Sequence, residues 1–160
     1  MTSFEIRKTD TKGKGLFSLI HFAANQVVLS FKGKILDKKT VYELPDEKSE
    51  LFLQIGDDTY LDLNKDVSLF INHSCNPNTV IKIISKTAFL ISTRAILPNE
   101  ELCFDYSLSS SETPNDWLMT CKCAQWNCRK IISGFTTLSD KEKETYLKLN
   151  VVPNYIKKLL

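Results

Sequence analysis

Leu69-Phe70-Ile71-Asn72-His73-Ser74-Cys75-Asn76-Pro77-Asn78 places a dense run of side-chain donors and acceptors directly behind an apolar segment. Asn-Pro-Asn alone is a turn signal, and a single histidine is more often a structural hydrogen-bonder than a catalyst. Further along, Glu100-Glu101-Leu102-Cys103-Phe104-Asp105-Tyr106 alternates apolar and polar positions, as a two-faced strand does, and ends on a tyrosine. That tyrosine offers a phenolic hydroxyl able to position a polar substrate group; the plainer alternative is an aromatic residue covering the core.

Working outward, Cys121-Lys122-Cys123-Ala124-Gln125-Trp126-Asn127-Cys128 crowds three thiols into eight residues. Zinc takes tetrahedral sulfur ligands, so three thiolates are one short of a closed site. The fourth must come from elsewhere, and Cys75 and Cys103 are the thiol candidates. Cys75 lies in the polar turn, whereas Cys103 sits in a strand among apolar neighbours and reads as an inert core thiol. Five cysteines without an export signal argue against a disulfide framework. Towards the N-terminus, Lys12-Gly13-Lys14-Gly15-Leu16-Phe17 is a glycine turn that lets the backbone approach a ligand, but it lacks the third glycine and the βαβ setting of a dinucleotide fingerprint.

The 160 residues are 42% hydrophobic and 25% charged, with a net charge of +2, as expected of one globular domain. The weak charge argues against direct nucleic-acid binding, which needs a concentrated basic face. The N-terminus has no apolar core of a signal peptide, and the stretch from Gly15 to Phe31 is too short and too polar to span a bilayer, so no membrane association is expected. Hydrolase and nucleotide-loop signatures are missing.

Up to about Tyr106 the chain reads as short β-segments. Val27–Phe31 is one, and Val80–Ile84 with Ala88–Ile91 forms a hairpin. Ser107–Thr113 reads as a flexible connector, Ser139-Asp140-Lys141-Glu142 as a capping box opening an amphipathic helix to about Leu149, and Pro153 as the start of a last turn. Trp117 and Trp126 are expected to pack the cysteine module, and His21 to be a turn or strand residue.

Together, Lys-Gly-x-Gly-Leu-Phe, Leu-Phe-Ile-Asn-His-Ser-Cys-x-Pro-Asn, Glu-Leu-x-Phe-Asp-Tyr and Cys-x-Cys-x4-Cys-Arg resemble, in this order, the SET-domain protein lysine methyltransferases with a post-SET zinc module. The resemblance runs over about Phe4 to Gly134. It implies a mainly β fold of small curved sheets with a pseudoknot-like crossing, a SET domain over 1–110, a post-SET zinc-binding module over 111–134 and a helical extension over 135–160. It implies that S-adenosylmethionine is held around Lys12, Gly13, Lys14, Gly15, Asn72 and His73, and that Zn²⁺ is held by Cys75, Cys121, Cys123 and Cys128. Tyr106 matches the family's catalytic tyrosine. Phe104 stands where the family has Phe or Tyr, and without a hydroxyl to hold a water it leaves room for di- or trimethylation.

The implied reaction is in-line transfer of a methyl group to a neutral lysine amine in a flexible protein tail or loop, the histone tail being the family's commonest substrate. This would place the protein inside the cell, and in the nucleus (its own or a host's) if histone is the substrate; a homodimer completing a substrate groove is compatible with it. The alternative is a catalytically weak module that binds a peptide or protein partner. Leu69, Phe31, Ala124 and Lys130 depart from the family's pattern; the last two replace glycines, which is expected to loosen or reshape the turns of the module.

Overall fold

The computed structural model describes residues 2–45, 48, 51–111 and 117–160. Its body is built from small sheets, each as short as its sequence segment. The longest ladder joins β8 (Thr79–Ile84) to β9 (Thr87–Ser92), and β3 (Val27–Ser30) adds to the other edge of β9 in the order β3-β9-β8. Runs of β-branched residues favour the extended backbone here. Ser85 and Lys86 join the two long strands with φ of 49° and 65°, the left-handed pair that a tight hairpin turn requires. Ala88 and Leu90 alternate inward and are fully buried, so the hairpin expectation holds.

A second sheet, β4-β6-β5, comprises Lys34–Asp37, Thr59–Asp62 and Phe52–Gln54, and a two-stranded hairpin pairs β1 (Phe4–Lys8) with β2 (Lys14–Ser18). A five-residue helix, α1 (Lys38–Tyr42), follows β4. These sheets close on one core that contains Leu16, Phe31, Ile71, Ile96 and Leu102, with Leu69 packed against it. Phe31 is therefore a core residue, a position with no need of a hydroxyl.

At the centre, β7 (Asn72–His73) and β10 (Cys103–Phe104) pair in parallel, which is the crossing that the resemblance implies. Two residues per strand give little ladder, so side chains satisfy the remaining backbone groups. Asn78 accepts the Cys103 N–H at 2.9 Å and donates to the Glu101 carbonyl at 2.8 Å, and the Thr79 hydroxyl donates to the Cys103 carbonyl at 2.7 Å.

The strand does not continue to Tyr106 as the alternation suggested. Asp105 accepts the Ser107 N–H and caps a 3₁₀ turn over Tyr106–Leu108, which ends the extended run. Nor is Ser107 part of a connector: Ser107 and Leu108 are buried, and the Ser107 hydroxyl donates to the Ser133 carbonyl. The end of the expected connector, residues 112–113, lies outside the described residues.

Beyond it, β11 (Met119–Thr120) pairs with β12 (Ile131–Ile132) around the cysteine cluster. Ala124 (φ 54°) and Lys130 (φ 67°) keep the left-handed conformation that glycine favours, so the turns are retained rather than reshaped. The capping box forms as expected and opens α2 (Asp140–Lys148), and Pro153 precedes α3 (Asn154–Lys157). A second core seats Phe135, Leu138, Val152 and Ile156 against Val80 and Leu108. Helix α2 contributes little apolar cover, because it buries no residue fully and only Tyr146 packs on this core.

Candidate functional site

The cysteine module brings its thiols to Cys75, two residues past the end of β7. One ligand atom each from His73, Cys75, Cys121 and Cys123 falls within a 4.8 Å group, all four residues being buried. The Cys75 and Cys121 sulfurs are 3.7 Å apart and no disulfide forms. A disulfide would need about 2.05 Å. Tetrahedral zinc with bonds near 2.3 Å sets its sulfurs about 3.8 Å apart, so the spacing fits such an ion. Cys128 adjoins the same group by side-chain hydrogen bonds with Cys121 and Cys123. Cys103 lies apart from this group, 3.6 Å from the Lys12 ammonium.

The thiols sit in unlike surroundings. The Arg129 N–H donates to the Cys75 sulfur at 3.4 Å, and Asn127 donates to the Cys75 carbonyl at 2.8 Å. Burial pushes the Cys75 thiol up to about 11, while Cys123, despite burial, is drawn down to about 7 by the backbone N–H groups of Cys75 and Gln125. His73 is held neutral, its pKa lowered to about 4 chiefly by burial, although Asp105 lies 3.6 Å away. Its Nδ1 accepts the Tyr106 N–H at 3.2 Å, which leaves the proton on Nε2, 3.2 Å from the Cys75 sulfur.

On the other side of β7 lies the glycine turn. Asn72 donates to the Lys14 carbonyl at 2.9 Å and to Glu101 at 2.8 Å, and Glu101 also holds the Lys12 ammonium at 2.6 Å. Although burial opposes its charge, Lys12 is held above the usual lysine range by Cys103 and Glu101. A Cβ at Gly15 would stand 2.5 Å from a Glu101 oxygen and 3.0 Å from the Asn72 amide, so a larger residue there would displace the Glu101–Asn72 pair. Gly13 has φ 77° with open space around its Cα, and Gly13 and Lys14 border an open cavity of about 500 Å³ lined also by Ile6, Arg7, Lys8 and Phe70. Lys12, Lys14, Gly15 and Asn72 are thus gathered at one end of the crossing, through Glu101 and the Asn72 amide. Thr11 ties this turn to the cysteine module through the Lys122 carbonyl at 2.8 Å.

Tyr106 stands between the two. Its hydroxyl donates to the Ile71 carbonyl at 2.9 Å, its ring lies 5.5 Å from His73, and the Phe104 ring is 4.9 Å away. Asp105, fully buried, is gripped by both Arg129 guanidinium nitrogens at 2.6 and 2.7 Å. Asn78, Glu101, Asp105 and Arg129 all stand inside motifs visible in the sequence, but their roles depend on partners elsewhere in the chain; Tyr146 carries no motif signal. Trp117 packs on the thiol cluster as expected, but Trp126 is 88% exposed.

Residues 13–107 match the family described as SET domain. Among relatives, the chain is 28% identical over 144 residues to the H3 lysine-36 specific histone-lysine N-methyltransferase of Candida albicans, a match that covers 82% of this chain and 17% of that protein. It is 32% identical over 127 residues to human histone-lysine N-methyltransferase SETD1B, covering 72% of this chain and 6% of the relative. Of solved structures, KRYPTONITE in complex with mCHG DNA and SAH superposes with a TM-score of 0.68 at 23% identity, over 81% of this chain and 29% of that one.

Proposed function

The chain belongs to the SET-domain family, and from that premise we propose that it is an S-adenosylmethionine-dependent protein-lysine N-methyltransferase acting on a histone tail or a similar flexible segment. The observation that supports it is the parallel pair of β7 and β10: Tyr106, just past β10, bonds to His73 and to the Ile71 carbonyl, while Asn72 of β7 reaches the Lys14 carbonyl of the glycine turn. When bound, S-adenosylmethionine supplies a methyl group already activated by its sulfonium. The residues that would hold it are Lys12, Gly13, Lys14, Gly15, Asn72 and His73, through backbone groups and the Asn72–Glu101 pair.

This chain's part is positioning. Tyr106, with its hydroxyl end fixed on the Ile71 carbonyl and its backbone on His73, presents a hydroxyl that orients the incoming amine. The amine must arrive neutral, and an apolar surround of Phe104 and Tyr106 rings lowers its pKa by desolvation. Phe104, 6% exposed, has no hydroxyl to hold a water beside the amine, which supports di- or trimethylation.

For the metal, Cys75, Cys121, Cys123 and Cys128 would hold zinc. His73 donates its Nε2 proton to Cys75 and serves as an orienting partner, not a ligand. Zinc there supplies structure, tying the 111–134 module to the crossing. Histone substrates imply a nuclear site of action, and among the described residues no helix is long and apolar enough to cross a membrane.

Transfer of labelled methyl from S-adenosylmethionine to core histones tests this reading. Tyr106→Phe should lower the rate on the order of a hundredfold, the usual cost of losing one oriented hydrogen-bonding group at a reacting centre. No transfer together with no binding of S-adenosylmethionine would refute it in favour of a peptide-binding module.

A further inference from the structure

We propose that Tyr146, in helix α2, is a positioning residue for Tyr106, acting through the buried carboxylate of Asp105. The inference rests on the methyltransferase reading only for its kinetic consequence. Asp105 immediately precedes Tyr106 and has no exposed surface. Its two oxygens are shared by three elements. Oδ1 accepts the Ser107 N–H at 3.1 Å, which caps the turn that Tyr106 begins, and Arg129 at 2.6 Å; Oδ2 accepts Arg129 at 2.7 Å and the Tyr146 hydroxyl at 2.9 Å. A carboxylate offers about four acceptor sites, so this shell is complete only with Tyr146 in place.

The rotation of that carboxylate sets the turn. Tyr106 is also held at its N–H on His73, at its hydroxyl on the Ile71 carbonyl, and at its own carbonyl, which accepts the Ser109 N–H at 3.0 Å and the Ser109 hydroxyl at 2.9 Å. Glu142 and Tyr146 lie one helical turn apart on α2, on one face. Glu142 reaches Arg129 at 3.4 Å while Tyr146 reaches Asp105, so a single face of the helix addresses both members of the Asp105–Arg129 pair. Of α2, Tyr146 alone packs on the second core, and no residue of the helix is fully buried. Packing alone therefore does not account for the hydroxyl, and the extension lies beyond residues 13–107, the span of the family match.

The test replaces the hydroxyl and keeps the ring. Protein labelled with 3-fluorotyrosine, with zinc bound, is compared as wild type, Tyr146→Phe and Ser139→Ala, the Tyr106 fluorine resonance being assigned from Tyr106→Phe. Wild type should give one sharp Tyr106 signal, and Tyr146→Phe a broadened or split one. Ser139→Ala weakens the helix cap without touching Asp105, and should leave the signal sharp. In methyl transfer to core histones, Tyr146→Phe should lower kcat about tenfold with KM for S-adenosylmethionine unchanged, the pattern of a misaligned group. An unaltered Tyr106 signal in Tyr146→Phe overturns the proposal, as does equal broadening in Ser139→Ala, which would assign the effect to helix stability. Absent turnover by the wild type would count against the histone methyltransferase reading alone, because the fluorine signal decides the positioning role without it.

Discussion

The sheet β3-β9-β8 and the crossing of β7 with β10 hold the chain by opposite means. In the sheet, backbone ladders and inward-facing apolar residues such as Ala88 and Leu90 suffice, and the identity of each polar neighbour matters little. In the crossing, two residues per strand cannot form a ladder of any length. The chain is instead pinned by Asn78, Thr79, the Asp105–Arg129 pair and a knot of thiols. An apolar contact can be replaced by another of similar volume, whereas a buried polar group that loses its partner bears its full desolvation cost. The site therefore sits on the part of the molecule that tolerates substitution least.

Metal removal should break that contrast open most widely. Structural zinc in small modules contributes about 10–16 kcal/mol of binding free energy, which is folding free energy where the site does not exist beforehand. Chelation should abolish methyl transfer and release hydrogen-exchange protection at 72–75, 103–106 and 117–134. The amides of β8 and β9 should stay protected. If they open at the same rate, the two regions form one cooperative unit and the contrast is lost.

Single substitutions sharpen it next. Arg129→Met strands the Asp105 carboxylate without its cation, and breaking a buried pair from one side costs about 3–5 kcal/mol. Leu90→Ala, from full burial, costs about 2–5 kcal/mol by cavity formation. The magnitudes overlap, but the remedies do not. Adding Asp105→Asn to Arg129→Met should recover much of the lost stability in denaturant melts, because the uncompensated charge is gone. No polar change should repair Leu90→Ala.

The same division decides what could be read from the amino-acid sequence. The β8–β9 hairpin follows from β-branched runs around a three-residue break, and the α2 start follows from Ser139 and Glu142, since both are local rules. The thiol cluster was legible as a ligand deficit, three cysteines in need of a fourth, and its gathering with Cys75 came from the resemblance, not from spacing. Asp105, Arg129 and Tyr146 meet across 24 and 41 residues of chain, and nothing periodic announces such a meeting. The strand expected through Tyr106 ended early for the same reason: Asp105 turned inward to cap a turn instead of alternating outward.

The smallest effects compare like with like in the two regions. Lys86 in the hairpin turn and Lys130 in the cysteine module both hold positive φ, 65° and 67°. The left-handed conformation costs a non-glycine residue about 1–2 kcal/mol, and glycine returns roughly half of that as backbone entropy lost on folding. Lys86→Gly and Lys130→Gly should therefore each stabilise the protein by up to about 1 kcal/mol. In the hairpin the gain should register in thermal melts alone. Lys130 also accepts the Cys121 N–H on its carbonyl at 2.7 Å, so relief of strain there bears directly on a thiol of the cluster. Lys130→Gly should therefore slow zinc release to a competing chelator as well, and Lys86→Gly should not. Equal release rates for the two variants would mean that the module's turn strain is not felt at its thiols.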